Sequence, residues 1–420
     1  MANIQLSYST FGLTNLNFLD AIKAIARAGY EGVEIAFHRR QFNPFELADD
    51  DLDAVKKCCV AAGVTPACVA TASHFFTPSR PHEPSLLTPD LAGRKRRIDL
   101  IKRGIRAARR LGVRLVTCGS GFIRDDSIHA PRADARERLV DSIRECLREI
   151  HGGEDMTLLI EPEPGMLVET LDDGLRLIHA VDSPHFGLHI DICHAYCSER
   201  DYIAALERAA PFARYLHISD ARQGYNLKIV SDHADAAIDL DFASALVYFP
   251  DTAGYLLVDK RHPRYFGDDK PEGKRRRHID AILSRAGVDG PLGMVDYPSL
   301  YAGASPLDDE IFTYLISVPG LSYDVLERAA PVLAYLRGVG GGAGAPPLVG
   351  RMLANTLTGI AHFHEIPGEG TLDLAASARA LESGGFHGYG SVELYHHVES
   401  WERALSDSHR HLAALATGPL

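Results

Sequence analysis

Short runs of apolar and β-branched residues recur along the chain, each followed by a polar loop and then by an amphipathic pattern of helical period. Such runs predict buried strands, and apolar residues spaced by three or four predict helices that pack on those strands. The predicted strands are Ile4–Tyr8, Val33–Phe37, Ala67–Thr71, Arg114–Cys118, Thr157–Glu161, Phe186–Asp191, Tyr215–Ser219 and Ser391–Tyr395.

Helical patterns separate these strands, for example "LDAIKAIARAG" and "ARERLVDSIRECLREI", with Gly29 and Gly152 as stop signals. Strands that alternate with helices in this way favour an α/β fold of the parallel (β/α)8 TIM barrel type over an open doubly wound sheet. No Gly-x-Gly-x-x-Gly motif follows the first strand. The main argument for a dinucleotide-binding fold is therefore missing.

Ionisable residues are concentrated at the predicted carboxyl ends of the strands, where the active sites of such barrels lie. They are His74, Glu161, Asp191 with His194 just beyond it, His217 and Glu393. One alternative is that Asp191 only caps the next helix and His194 packs beneath it. However, several charged side chains that converge on one mouth would repel each other without a cation. The pattern therefore predicts a metal site.

The chain from Asp220 to about Ser391 is far longer than the usual βα loop and helix. We therefore predict a large insertion in the loop after strand seven. The barrel would comprise residues 1–222 and 361–420, and residues 223–360 would form a cap over the mouth or an oligomerisation segment. An inert decoration is the alternative.

The predicted insertion has local patterns of its own. They are a strand at "YLLVD" (Tyr255–Asp259), a basic helix over Lys274–Ala286, an apolar helix over Asp308–Leu336 and a flexible linker over Gly338–Pro347.

Composition narrows the class of protein. The chain has 420 residues and a formal net charge of -12, which argues against nucleic acid as the main partner because phosphate binding needs a positive surface. No apolar run approaches the roughly 20 residues of a membrane span, and no basic-then-apolar signal opens the chain. Seven cysteines lack paired metal-type spacing. We expect a cytoplasmic protein with free thiols.

Six motifs in order resemble the xylose-isomerase-like barrel superfamily, which includes sugar phosphate isomerases and epimerases, inosose dehydratases and endonuclease-four-type apurinic endonucleases. The resemblance covers nearly all of residues 1–222 and 361–420. It is carried by "GYEGVEI", "IEPEPG" followed by "ET", "HIDICH", "LHISDAR", "HEIPGEGTLD" and "GYGSVELY".

The resemblance implies one divalent ion held by Glu161, Asp191, His217 and Glu393. It also implies that Glu161 and Glu393 flank the substrate on opposite faces and transfer protons, and that His194 positions the substrate. An oxygen-rich ligand set of this kind favours manganese, with magnesium, cobalt or zinc as alternatives.

Three further residues are predicted to bind substrate: His74, Arg222 and His364. His74 and His364 match histidines of the three-zinc apurinic endonucleases, but Cys118 stands where those enzymes have a histidine and His362 where they have an aspartate. Arg222 would meet a phosphate or carboxylate, with a surface salt bridge as the alternative.

We expect an isomerase or epimerase that acts on a sugar, keto-sugar or polyol by proton abstraction beside a carbonyl. A lyase or dehydratase acting on a keto-inositol or keto-glycoside is the near alternative, because it begins with the same step. More distant alternatives are a zinc phosphodiesterase and an inactive barrel that binds a partner. The expected partners are a small sugar or polyol and a second copy of the chain bound through the insertion, with neither nucleic acid nor membrane.

Overall fold

A computed structural model of the chain describes residues 3–71, 75–76, 82–121, 132–164, 166–221, 225–231, 244–249, 254–259, 292–295, 348–353, 360, 362, 364–395 and 397–417. The chain forms two compact units. The first comprises Met1–Phe76, His82–Ala221 and His362–Leu420, and the second comprises Thr77–Pro81 and Arg222–Ala361. No helix in the described ranges has the length and apolar character needed to cross a membrane.

The first unit is a closed barrel of parallel strands. The barrel strands are β1 (Ile4–Ser9), β2 (Gly32–Ala36), β3 (Thr65–Ala70), β4 (Leu115–Gly119), β5 (Thr157–Glu161), β6 (Phe186–Asp191), β7 (Ala213–Ile218) and β13 (Gly388–Val392). Their order around the barrel is β1-β13-β7-β6-β5-β4-β3-β2. This confirms the predicted (β/α)8 fold and the insertion between its last two strands.

Helices cover the outside of the barrel. They are α1 (Phe18–Arg27), α2 (Asp49–Ala62), α3 (Leu91–Leu111), α4 (Arg132–Leu147), α5 (Leu171–Val181), α6 (Ile192–Ser198), α7 (Tyr202–Ala209), α8 (Leu374–Ser383) and α9 (Trp401–Thr417).

The sequence of α1 shows why these helices form. Phe18, Ala21, Ile22 and Ile25 recur at helical spacing and are all buried, and each buried Ile stabilises the fold by roughly 1.5–3 kcal/mol. Asn17 caps the first turn, and beyond the last turn Gly29 adopts φ +96°, which favours glycine. Gly29 therefore ends the helix as predicted.

The barrel interior changes from apolar to polar toward the carboxyl ends of the strands. Cys68, Leu159 and Tyr215 form an apolar layer inside the barrel. Because side chains alternate with a period of two, the residue two positions after Leu159 on the same face is Glu161, and the residue two positions after Tyr215 is His217. Because side chains alternate along each strand, ionisable groups follow the apolar layer and lie at one mouth of the barrel.

Hydrogen bonds within the first unit join the two stretches of chain that flank the insertion. Asp220 and Glu365 exchange two backbone hydrogen bonds of 2.8 Å each. The Asp220 carboxylate also accepts bonds from the backbone N–H of Gly368 at 2.9 Å and of Leu372 at 3.0 Å. The barrel therefore holds its own chain together on both sides of the insertion.

The second unit contains a five-stranded sheet. Its strands are β8 (Tyr225–Ser231), β9 (Ser244–Phe249), β10 (Gly254–Asp259), β11 (Leu292–Val295) and β12 (Leu348–Leu353). Their order in the sheet is β11-β10-β9-β8-β12. The predicted strand "YLLVD" lies within β10. The predicted basic helix, apolar helix and linker lie outside the described residues.

Candidate active site

The structure brings the four predicted metal ligands together at the carboxyl ends of four neighbouring strands. Nδ1 of His217 lies 3.2 Å from Oε1 of Glu161, 3.4 Å from Oε2 of Glu393 and 3.8 Å from Oδ2 of Asp191. Glu161 and Asp191 end β5 and β6, and His217 is on β7. Glu393 was predicted within the last strand but comes directly after β13, which ends at Val392. The four side chains converge on one point.

Glu34 fixes the orientation of His217. Oε2 of Glu34 lies 2.8 Å from Nε2 of His217, and both side chains are buried. The Glu34 carboxylate can only accept the hydrogen bond from Nε2–H, so the neutral imidazole carries its lone pair on Nδ1, toward the other three ligands. Sequence reasoning missed this role of Glu34. The available signal was an acidic residue inside the apolar strand of "GYEGVEI".

The two oxygens of Asp191 have different environments. Oδ1 accepts hydrogen bonds from the backbone N–H of Cys193 at 2.7 Å and of His194 at 3.1 Å, so Asp191 does cap α6. Oδ2 is buried and has no hydrogen-bond donor among the described residues. A buried carboxylate oxygen without a donor is costly, and a cation at this point would satisfy it. The residues present therefore fit a divalent ion.

Three imidazoles lie on the other side of Asp191. Nε2 of His364 is 3.2 Å from Nε2 of His362 and 3.3 Å from Nε2 of His194. Nδ1 of His194 is 3.0 Å from the carbonyl oxygen of Pro162, and Nδ1 of His364 is 3.0 Å from that of Glu393. Because a carbonyl only accepts, both Nδ1 atoms are the donors and both Nε2 atoms carry lone pairs. These three histidines form a second group that could hold a cation.

Charge and burial shift the titration of the acidic ligands. Burial raises the pKa of Glu393 well above its usual value and also raises the pKa of Glu161, although His217 opposes both shifts. Burial alone would lower the pKa of His217, but Glu34, Glu393 and Glu161 outweigh it and raise this pKa well above its usual value. Without a cation these groups favour protons, which a divalent ion would displace.

The pKa values of the three imidazoles in the second group are shifted downward. Burial lowers the pKa of His194 and of His362 well below the usual histidine value, and it also lowers the pKa of His364. All three are therefore neutral near pH 7, as a metal-binding imidazole must be.

A cavity of about 60 Å³ opens above the ligands. Its wall includes Phe11, Thr71, His82, Glu163 and Tyr395 beside Glu161, His194, His217 and Glu393. Glu163 is buried, and sequence reasoning missed it although it stands in "IEPEPG". Burial raises the pKa of Glu163 well above its usual value. The cavity thus offers several carboxyl groups that can hold or accept protons.

Of the three residues predicted to bind substrate, the structure describes one, His364. His364 lies among the imidazoles behind Asp191, with its Nε2 3.7 Å from Oδ2 of that residue. His74 and Arg222 lie outside the described residues. Cys118 lines the cavity.

The chain is similar in sequence to one known protein family and, over a short stretch, to one characterised enzyme. A family model described as "Xylose isomerase-like TIM barrel" matches residues 22–282. A 3-dehydroshikimate dehydratase of Bacillus anthracis is 27% identical over 85 residues, which are 20% of this chain and 30% of the dehydratase. The alignment thus spans less than a third of that relative.

Two solved structures share the fold at low identity. The IOLI protein with a bound zinc atom is 14% identical, with coverage of 99% of this chain and 98% of that chain and a TM-score of 0.54. A xylose isomerase domain protein from Alicyclobacillus acidocaldarius subsp. acidocaldarius is 15% identical, with coverage of 99% and 100% and a TM-score of 0.50.

Proposed function

The chain belongs to the xylose isomerase-like TIM barrel family, and from this premise we propose that it is a divalent-metal-dependent isomerase or epimerase. Its substrate would be a sugar, keto-sugar or polyol, and its reaction would proceed by proton abstraction beside a carbonyl. The observation that carries the proposal is the position of Glu161 and Glu393, whose oxygens lie 3.2 Å and 3.4 Å from the same nitrogen of His217.

Glu161, Asp191, His217 and Glu393 would hold the ion. When bound, it supplies electrophilic polarisation of a carbonyl and the hydroxyl beside it. Three carboxylates and one imidazole suit manganese, with magnesium, cobalt and zinc as alternatives.

The proton-transfer step is assigned to Glu161 and Glu393. Both carboxylates line the cavity, so either can reach a bound substrate and act as a general base. One carboxylate would take the proton from the carbon beside the carbonyl, and the other would return a proton to a neighbouring carbon or to the opposite face.

His194 is proposed to position the substrate. It lines the cavity, and its Nδ1–H is held by the carbonyl oxygen of Pro162 at 3.0 Å. This hydrogen bond fixes the orientation of the ring and leaves the lone pair on Nε2. Nε2 can therefore accept a hydrogen bond from a substrate hydroxyl. His194→Ala should retain the ion of the four-ligand site and lose turnover.

A dehydratase or other lyase is the second candidate. The limited similarity to 3-dehydroshikimate dehydratase favours it, and proton abstraction beside a carbonyl is also the first step of such an elimination. A zinc phosphodiesterase is a weaker candidate, which would show several zinc ions per chain in elemental analysis.

The experiment is solvent exchange in heavy water. The Mn²⁺-loaded protein is incubated with a panel of ketoses, 2-keto-myo-inositol and 3-dehydroshikimate, and the recovered compounds are examined by NMR and mass spectrometry. Deuterium at the carbon beside the carbonyl, lost when the metal is removed with a chelator, supports the proposal. A rearranged product identifies an isomerase, whereas loss of water identifies a dehydratase. Turnover of any of these compounds by the metal-free protein would overturn metal dependence.

A further inference from the structure

His189 is a buried histidine inside the barrel that is not among the proposed metal ligands. It lies on β6, two residues before Asp191, and none of it is exposed. Its Nδ1 lies 2.8 Å from Oγ1 of Thr117 on β4 and 3.6 Å from Oε2 of Glu161. Its Nε2 has no hydrogen-bond partner among the residues that the structure describes. The ring is therefore held through its contact with the Thr117 hydroxyl.

The hydrogen of the neutral His189 ring is assigned to Nδ1. Because Nε2 lacks a partner in the described ranges, a hydrogen there would form a buried N–H without an acceptor, which is rarer in proteins than a buried acceptor without a donor. The Glu161 carboxylate near Nδ1 also favours an N–H at that atom, because a negative oxygen repels a lone pair. A protonated ring would carry a hydrogen on Nδ1 as well. Nδ1–H is thus the donor, and Oγ1 of Thr117 is the acceptor.

This hydrogen bond leaves the Thr117 hydroxyl with a hydrogen to donate. A threonine hydroxyl has one hydrogen and two lone pairs, and Nδ1–H of His189 occupies one lone pair. His189 is the one hydrogen-bond partner of Oγ1 within the described part of the chain. Thr117 lines the substrate cavity. Gly119, two residues later on β4, pairs with Glu161, so Thr117 lies one side-chain layer deeper in the barrel than Glu161. The cavity wall therefore offers a neutral donor below the carboxylates.

We propose that the Thr117 hydroxyl donates a hydrogen bond to the substrate oxygen that enters the cavity most deeply, and that His189 positions Thr117 for this contact. The inference rests on the proposed function, because it takes the substrate to be a polyhydroxylated compound whose reacting carbons lie beside Glu161 and Glu393. Carboxylates on the cavity wall accept hydrogen bonds from hydroxyls but cannot donate to a carbonyl. The Thr117 hydroxyl can donate to either kind of oxygen, and it discriminates against a compound that lacks this oxygen.

The tautomer of His189 tests the inference without any substrate. The full chain is labelled with ¹⁵N-histidine in the presence of Mg²⁺, and the His189 signals are assigned by their loss in His189→Gln. Two-bond ¹⁵N–¹H couplings should show the hydrogen on Nδ1, and the Nδ1 signal should move in Thr117→Val, which removes its acceptor. A hydrogen on Nε2 alone would overturn the inference, because the Thr117 hydroxyl would then donate to His189.

A binding measurement tests the contribution of the Thr117 hydroxyl. Calorimetry with the panel of ketoses, 2-keto-myo-inositol and 3-dehydroshikimate compares the Mn²⁺-loaded wild type with Thr117→Val, Thr117→Ser and Thr65→Val. Thr65→Val is the matched control, because Thr65 is the exposed first residue of the neighbouring strand β3. Thr117→Val should bind the preferred compound about 3- to 10-fold more weakly, as expected for one neutral hydrogen bond, whereas Thr117→Ser and Thr65→Val should stay within about twofold of the wild type. Wild-type affinity in Thr117→Val would contradict the inference.

His189→Leu tests whether His189 acts through Thr117. Each variant is compared at a metal content confirmed by elemental analysis. His189→Leu should weaken binding as Thr117→Val does, and the double variant should bind no more weakly than the single variants, because the two residues act as one unit. Additive losses would contradict the positioning role. If no compound of the panel binds to the wild type, the proposed function fails, and the His189 tautomer alone decides the inference.

Discussion

Oε2 of Glu34 lies 2.8 Å from Nε2 of His217, so a buried carboxylate on the second barrel strand orients a candidate metal ligand on the seventh. Glu34→Gln keeps an oxygen that can accept from Nε2–H but removes the charge that makes His217 a stronger ligand. We expect metal affinity at pH 7 to fall about 10- to 100-fold, as for other groups that orient metal-binding histidines.

Competition between Mn²⁺ and a chelating dye measures that affinity. Glu31→Gln is the control, because Glu31 directly precedes the same strand and is exposed. Saturating Mn²⁺ should restore most of the turnover of Glu34→Gln. Equal affinities of Glu34→Gln and the wild type would show that Glu34 has no part in metal binding.

Asp191→Asn separates the two roles of Asp191. The Asn side-chain oxygen can still accept from the N–H groups of Cys193 and His194, so the cap of α6 is retained, but the oxygen that lacks a donor is lost. We expect a folded protein that loses its metal during dialysis, measured by elemental analysis. Asp201→Asn, the same change at the cap of α7, should keep the metal. Wild-type metal content in Asp191→Asn would reject the assigned site.

The sequence predicts the barrel because its strands are short, apolar and separated by amphipathic helices. The boundaries of β5 and β6 match the prediction, since both strands end at the acidic residue where the apolar run stops. Glu161 and Asp191 were predicted as metal ligands at these two strand ends, and His217 and Glu393 on the last two barrel strands.

The role of Glu34 could not be predicted in this way, because Glu34 lies inside its strand and not at the end. The approach of the three Nε2 atoms of His194, His362 and His364 depends on packing between distant parts of the chain, which the sequence pattern does not give.

The barrel should become less stable at mildly acidic pH through His397. Burial lowers the pKa of His397 to about 4, and its Nε2–H donates to the carbonyl oxygen of His364 at 3.2 Å. Between pH 6.5 and 4 the unfolded chain binds the proton and the folded chain does not, so the free energy of unfolding falls as pH falls through this window.

His397→Gln removes this proton and keeps a donor. We expect the loss in the free energy of unfolding between pH 7 and pH 4.5 to be smaller in this variant by roughly 2.5 kcal/mol. Urea titrations at the two pH values measure the difference. The same loss in both proteins would contradict the assigned role of His397.

Residues 223–360 are proposed to cap the barrel mouth or to join two copies of the chain. A shortened chain that links Arg222 to Ala361 through a few glycines should fold and bind metal, because Asp220 already bonds to Glu365 across the junction. It should show altered substrate affinity or a smaller assembly, measured by kinetics and by light scattering. Native size together with native kinetics would exclude both roles.

The most direct test of the account is deuterium exchange by Glu393→Gln. The amide can still contact the metal, but it cannot accept the proton from the carbon beside the carbonyl. With an active compound from the panel in heavy water, the wild type should incorporate deuterium at that carbon. Glu393→Gln, with metal content confirmed by elemental analysis, should incorporate it at least about 100-fold more slowly, because general-base catalysis contributes roughly 10²–10⁴-fold. Exchange at the wild-type rate in metal-loaded Glu393→Gln would contradict the proposed mechanism.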